Sequence, residues 1–156
     1  MLRVLLITFL LCLTLFANAQ KPDDLFIRDR LQAVSADNIF KTEGYYNWCT
    51  SIVKSKDGKY HLFYSRWKKE YSFYGWLTHS EIAHAVSDSP AGPWKYKETV
   101  LKGRGKGYWD AITVHNPKIK SFEGKYYLYY CSTNLGDMDY TEEDLIHCIY
   151  FHLMRF

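Results

Sequence analysis

The sequence predicts an all-β fold of the β-propeller kind, and three observations predict it. From Gly44 onward, runs rich in Tyr, Phe, Ile and Val alternate with Gly, Asp, Ser and Pro turns. The segment Val53 to Tyr64 (VKSKDGKYHLFY) recurs at Ile119 to Tyr130 (IKSFEGKYYLYY), with Lys, Ser, Gly, Lys, Tyr, Leu and Tyr in register. The copies lie 66 residues apart, measured from Gly58 to Gly124. A unit of about four strands with its turns needs roughly that length, and radial repetition of four-stranded sheets makes a propeller. Shared turn chemistry would explain the two glycines but not the flanking Lys-Ser and Tyr-x-Leu-x-Tyr matches.

Taken in order, residues 1–19 read as a signal peptide. Arg3 supplies the positive start, Val4 to Phe16 is almost wholly apolar, and Ala17-Asn18-Ala19 is a small-x-small cleavage site. The apolar run is too short for a comfortable membrane span, so the expectation is a secreted or periplasmic protein beginning near Gln20. Residues 20–44 form a polar lead-in with a short helix near Asp29 to Val34. The first repeat opens with a strand at Ser51 to Lys54. Asp57-Gly58 is expected to turn as a type I′ hairpin, and Tyr60 to Ser65 returns. Glu81 to Ser87 is a third strand whose alternation is imperfect, so its buried face stays open. Asp88 to Pro93 turns, and Trp94-Lys95-Tyr96 begins an outer strand. Trp109 to Ile119 then opens the second repeat. Residues 45–140 therefore hold one unit and the start of another. Thr141 to Phe156 loses the Gly-turn rhythm and reads as an atypical, amphipathic or out-of-frame tail, as in a truncated product.

Composition narrows the function classes. Of 156 residues, 47% are hydrophobic and 24% charged, as in an ordinary globular protein. The net charge of +3 is spread among acids, a solvated surface that argues against a nucleic-acid partner. Aromatic residues make up 18%, including 14 Tyr and 5 Trp, which suits packed sheets and stacking on sugar rings. Cys12 leaves with the signal; Cys49, Cys131 and Cys148 are an odd set, expected as buried free thiols. No spacing of Cys or His points to zinc, and no metal ligand is assigned.

The stretches Trp48 to Trp67, Thr78 to Trp94 (THSEIAHAVSDSPAGPW) and Trp109 to Ile119 (WDAITVHNPKI) resemble the opening blades of five-bladed β-propeller glycoside hydrolases of families 43 and 117. The resemblance covers roughly Trp48 to Thr133 and does not fix the sugar. It implies an N-terminal fragment of a five-bladed propeller, an axial active site, and carbohydrate hydrolysis by a pair of carboxylates. It also admits a calcium ion in the axial channel, which nothing in the spacing indicates. The expected substrate is a plant or algal polysaccharide or its oligomers. The chain departs from the family where the base usually stands: Trp48 to Ile52 contains no Asp, and the second repeat reads His115-Asn116-Pro117 there. The acid would come from a later blade.

Three candidates for catalysis follow. Asp110, beside Trp109 at the start of the second repeat, is the first, with turn capping as its plain alternative. His115, before Asn116-Pro117, could donate to a hydroxyl or move a proton, or simply bond to backbone. Glu81 is a strand-start carboxylate that is catalytic or merely solvated. For substrate binding, Trp48 and Trp67 could stack on a sugar face or lie in the core. Asn116 would meet hydroxyls. Arg66 would bind a carboxylated sugar, position an acid or form a surface salt bridge. The tyrosines at strand period, Tyr60, Tyr64, Tyr126 and Tyr130, are packing. The rival readings are a non-catalytic carbohydrate-binding propeller and a non-functional truncated product.

Overall fold

The computed structural model describes Leu31, Ala33 and residues 35–136 and 138–153, with side chains up to residue 147 apart from that of Asp37. The signal-peptide segment lies outside the described residues. So does most of the short helix expected from Asp29 to Val34; Leu31 and Ala33 carry no regular structure. The chain divides into two units, Met1–Val34 and Ser35–Phe156, and the β-structure belongs to the second.

Six strands form two antiparallel sheets. The first is a four-stranded meander of β1 (Tyr45–Lys54), β2 (Tyr60–Lys68), β3 (Glu81–Ser87) and β4 (Lys95–Leu101), paired in chain order. The second pairs β5 (Thr113–Phe122) with β6 (Lys125–Thr133). This is an all-β, propeller-like arrangement: one complete four-stranded blade, then the first hairpin of another. A four-residue helix, α1 (Trp76–His79), precedes β3, and α2 (Glu142–Leu153) follows β6. Helix α2 starts at a capping box: Asp144 N–H donates to Thr141 Oγ1 at 3.2 Å, while Thr141 N–H donates to Asp144 Oδ2 at 2.7 Å.

The two hairpins turn differently despite their shared sequence. Glu123 and Gly124 both have positive φ (48° and 75°), as a two-residue type I′ turn requires. At Asp57-Gly58, only Gly58 is left-handed, with φ 84°. That turn is longer: Gly58 N–H donates to Ser55 O and Ser55 N–H to Lys59 O. The type I′ expectation for Asp57 is thereby corrected. Its carboxylate instead accepts the Lys59 N–H at 2.9 Å, which holds the turn without a positive φ at Asp57.

Both inner strands carry a bulge at matching places. β1 skips pairing between Trp48 and Ser51, and β5 between His115 and Lys118. The first bulged residues, Cys49 and Asn116, have φ 46° and 54°. Pro117, which has no N–H to donate, sits in the second bulge, where a sheet tolerates it.

The bulge also decides how the sheets join. The edge of β5 away from β6 donates three N–H groups, two to strands of the first sheet and one to Ser80 just before β3. Val114 donates to Ser80 O at 3.1 Å, Asn116 to Ser65 Oγ at 2.8 Å and Ile119 to Ser51 Oγ at 3.1 Å. Strand N–H groups alternate in direction, so 114 and 116 share a side. The extra bulge residue then shifts the phase and brings 119 to the same side. Ser51 and Ser65 are buried, and these bonds are their reason for being so.

The core lies on β2 and β3. Leu62, Tyr64, Ala83 and Ala85 pack together under Phe40 and Trp94. β3 is buried on both faces except at Glu81 and Val86, which explains its imperfect alternation. Cys49 and Cys131 are free and exposed, not buried as expected. Cys49 is turned out by its bulge, and β6 is largely uncovered.

Candidate functional site

One cavity of about 350 Å³ gathers aromatic side chains from both sheets. β1 contributes Trp48, just before its bulge, and β2 contributes Trp67. Phe73, in a 3-10 turn, and Trp76, the first residue of α1, come from the connection between β2 and β3. Trp48 lies 6.2 Å from Trp67 and 5.5 Å from Phe73, centroid to centroid. Trp76 meets the His115 ring edge-on at 5.8 Å. Trp67 is 1% exposed and Trp48 47%, so Trp67 is the wall and Trp48 the presented face. Gly75 permits this wall: a Cβ there would stand 2.8 Å from Trp67 Cδ1.

The polar lining is sparse. Ser80 Oγ and His115 Nδ1 are buried without a hydrogen-bond partner in the protein. Such orphaned atoms cost stability, so both have bonding capacity to spare. Burial pushes the His115 pKa down, and a ring N–H hydrogen bond accepted by the Asn116 side chain only partly opposes this. His115 is therefore a neutral imidazole at neutral pH, able to donate from one nitrogen and accept at the other. Asn116 takes its left-handed conformation in the bulge, its N–H held by Ser65. Among the described residues, no Asp, Glu, Lys or Arg lines this cavity.

Arg66 and Glu81 lie elsewhere, around a second, polar cavity of about 580 Å³ that shares Trp67 and Ser80 with the first. Arg66 is sandwiched between the Tyr45 and Tyr96 rings, 4.3 Å from each centroid. Its Nε donates to Glu81 Oε1 at 2.7 Å, and Nη2 donates to Tyr96 Oη and Thr99 Oγ1. Glu81 also accepts from Thr99 Oγ1, and its second oxygen is 3.3 Å from Lys102 Nζ. The expected surface salt bridge of Arg66 is instead a buried clamp joining β2, β3 and β4. Glu81 is the fully partnered half of it, neither solvated nor facing the aromatic cavity.

Asp110 is wholly buried, and both its oxygens are engaged. Arg104 Nε donates to Oδ1 at 2.6 Å, and Tyr130 Oη donates to Oδ2 at 2.9 Å. Burial pushes the Asp110 pKa up, but these two hydrogen bonds outweigh it and hold the carboxyl below the usual range. Asp110 lines neither cavity; it fastens the loop before β5 to β6.

Of the seven expected site residues, the structure thus brings together Trp48, Trp67, His115 and Asn116. Phe73, Trp76, Ser65 and Ser80 were missed by sequence reasoning. The aromatic run Tyr71 to Trp76 (YSFYGW) was the available signal, but it has neither strand nor helix period. No group of three or more His, Cys, Asp or Glu among the described residues is placed to hold a metal. The cavity's nitrogen and hydroxyl donors also do not suit calcium, which takes oxygen ligands with carboxylates among them.

No protein-family model matches the chain, and no curated protein matches it. Two solved structures are similar in part. One is Zg3597, a family 117 glycoside hydrolase produced by the marine bacterium Zobellia galactanivorans. It is 22% identical, the match covers 56% of this chain and 29% of that one, and the TM-score is 0.47. The other is a thermostable family 43 glycoside hydrolase, 19% identical, covering 58% of this chain and 27% of that one, with a TM-score of 0.37. The match spans under a third of either structure's length.

Proposed function

We propose that this chain binds a neutral sugar residue in the aromatic cavity and is the sugar-holding part of a glycoside hydrolase acting on plant or algal polysaccharide or its oligomers. The cavity carries the reading. It combines apolar ring faces for the C–H face of a pyranose with unsatisfied polar atoms for its hydroxyls. Its lining has no charge, and a charged sugar would be desolvated there without a counter-ion, which is costly.

The hydrolytic part rests on the resemblance of the blade motifs. Glycosidic hydrolysis needs an acid and a carboxylate on opposite sides of the bond. Asp110 and Glu81 are committed to Arg104 and Arg66, so the reacting carboxylates come from outside these residues. His115, neutral and beside the cavity, positions a hydroxyl or relays its proton.

Titration of the chain with neutral mono- and oligosaccharides, followed by tryptophan fluorescence, tests the binding. Expected is a saturable change that Trp48→Ala abolishes. No response to any neutral sugar, or an equal response in the variant, removes the reading. A hydrolysis screen on the same panel separates binding from turnover.

A further inference from the structure

The connection that supplies Phe73 and Trp76 to the aromatic cavity has little to hold it from within. It is one 3-10 turn, Phe73–Gly75, followed by the single turn of α1, and neither has a side-chain cap. A helix this short is not stable by itself. Ser72, at its start, has φ 59°, which a non-glycine residue keeps only when its surroundings impose it. Trp67 supplies one hold, donating from Nε1 to Ser72 O at 3.1 Å.

The rest comes from residues far along the chain. Thr141 onward loses the turn rhythm of the repeats, yet helix α2 packs against both α1 and the 3-10 turn, and its Leu145 is buried. Glu142, the first residue of α2, accepts from His79 Nε2 at 2.8 Å, 63 positions away. An ionised carboxylate only accepts, so Nε2 carries the hydrogen. Thr78 Oγ1 lies 2.7 Å from His79 Nδ1 and completes the ring, since a hydroxyl either donates or accepts. Tyr71 stacks on the same ring at 3.6 Å between centroids. Both nitrogens of His79 are thus engaged; its side chain is 9% exposed, against 64% for Glu142. The approach to α2 is tied as well: Lys106 Nζ bonds Asp139, and Asn134 Nδ2 donates to Tyr108 O at 2.9 Å.

Trp76 and His79 are the first and last residues of one helical turn, so holding one sets the other. Trp76 lines the aromatic cavity and meets His115 edge-on. Ser80, directly after His79, lines it too with its unpartnered hydroxyl. On the other side, a Cβ at Gly75 would stand 2.7 Å from Tyr71 Cβ and 2.8 Å from Trp67 Cδ1, so Tyr71 and the Trp67 wall close tightly on the same turn. The bond from His79 to Glu142 therefore acts on the wall of the cavity from behind, since neither residue lines it.

We propose that Glu142 and His79 are positioning residues for the aromatic cavity, and that helix α2 fixes Phe73, Trp76 and Ser80 in place through their bond. Its effect on sugar binding rests on the reading of that cavity as a sugar site. Without the bond, part of the population has the wall out of place, and apparent affinity falls by that fraction. An ion pair with one exposed partner makes the fall about two- to fivefold.

The experiment is fluorine NMR of the full chain labelled with fluorotryptophan, with neutral-saccharide titration of the same samples. Glu142→Ala removes the bond and keeps a good helix former. Glu142→Gln keeps an oxygen for His79 Nε2. Glu143→Ala takes the same charge from the same first turn and leaves the His79 bond in place. The Trp76 signal is expected to shift or broaden in Glu142→Ala and to keep its wild-type position in the other two. Trp94, packed on the core of the first sheet, is expected to stay unmoved in all three. Sugar affinity is expected to fall in Glu142→Ala alone. A Trp76 signal unchanged in Glu142→Ala, moved equally by Glu143→Ala or not restored by Glu142→Gln overturns the positioning role. So does a Trp94 signal that moves with it, which would mean general loosening, or a moved Trp76 with wild-type affinity. If wild type binds no sugar while Trp76 still moves in Glu142→Ala alone, the sugar reading falls and the bond stands as the anchor of the wall.

Discussion

Ser65 Oγ accepts the backbone N–H of Asn116 at 2.8 Å, joining positions 51 residues apart. Both residues line the aromatic cavity, so this bond, one of three from β5 across the junction, also holds the bulge that presents Asn116. Ser65→Ala leaves that N–H unpaired where water has little access. The expected cost is about 1–3 kcal/mol of stability. Sugar affinity should fall as well, because Asn116 and His115 lose their anchor. Urea unfolding and saccharide titration check this; a variant as stable as wild type would show that the tie is dispensable.

The two tryptophans of β1 and β2 should separate function from stability. Trp67 is buried under Tyr46 and Trp48, with its Nε1 donating to Ser72 O at 3.1 Å. Trp67→Ala is expected to lose about 3–5 kcal/mol. Trp48 is half-exposed and offers a ring face to the cavity. Trp48→Ala is expected to change the unfolding midpoint little and the sugar affinity at least about tenfold, since stacking faces dominate such sites. Parallel unfolding and binding curves for the two variants distinguish the roles.

What could be read from sequence was what local chemistry dictates. β3 spans the expected Glu81 to Ser87, and the Gly58 and Gly124 turns join the expected hairpins. A glycine after an acidic residue and a strand-period run of Tyr and Leu carry their own signal. Asp110 and Glu81 show the limit. Each carboxylate's role depends on an arginine brought up by the fold: Arg104 by a loop folding back, with its N–H on Asp110 O, and Arg66 by register pairing with Glu81. No spacing in the chain announces either. The cavity was half-legible because Trp48, His115 and Asn116 flank bulges whose sequences stood out. Phe73 and Trp76 belong to single helical turns, too short to show a period.

Asp110 is expected to act in stability rather than in sugar contact. Its folded pKa lies below the ordinary carboxylate value of about 3.9, so it contributes stability above that value and loses it as pH falls through the folded pKa. Asp110→Asn should lower the melting temperature at neutral pH and leave a shallower acid limb below about pH 4. Sugar affinity per folded molecule should change little. Thermal unfolding from pH 2.5 to 7 checks the first part; an acid limb as steep as wild type would mean that the Arg104 and Tyr130 bonds do not favour the ionised form.

His115 should give sugar binding a one-sided pH dependence. Burial holds its pKa below the ordinary value of about 6.5, so the imidazole stays neutral from alkaline pH down past that value. Affinity for a neutral sugar is therefore expected to be flat from about pH 8 to 6.5 and to fall only at lower pH, where protonation removes the acceptor nitrogen. The same lowered pKa makes His115 a destabilising element in acid: the unfolded chain takes up its proton first, so folded stability is lost as pH falls through the unfolded value. His115→Gln keeps a neutral donor and acceptor, and should bind more weakly but without the acid fall. Titrations at half-unit steps from pH 5 to 8 for both proteins decide it. Identical acid profiles would assign the fall to another group, and a wild-type profile that improves in acid would mean that the charged imidazole is the binding form.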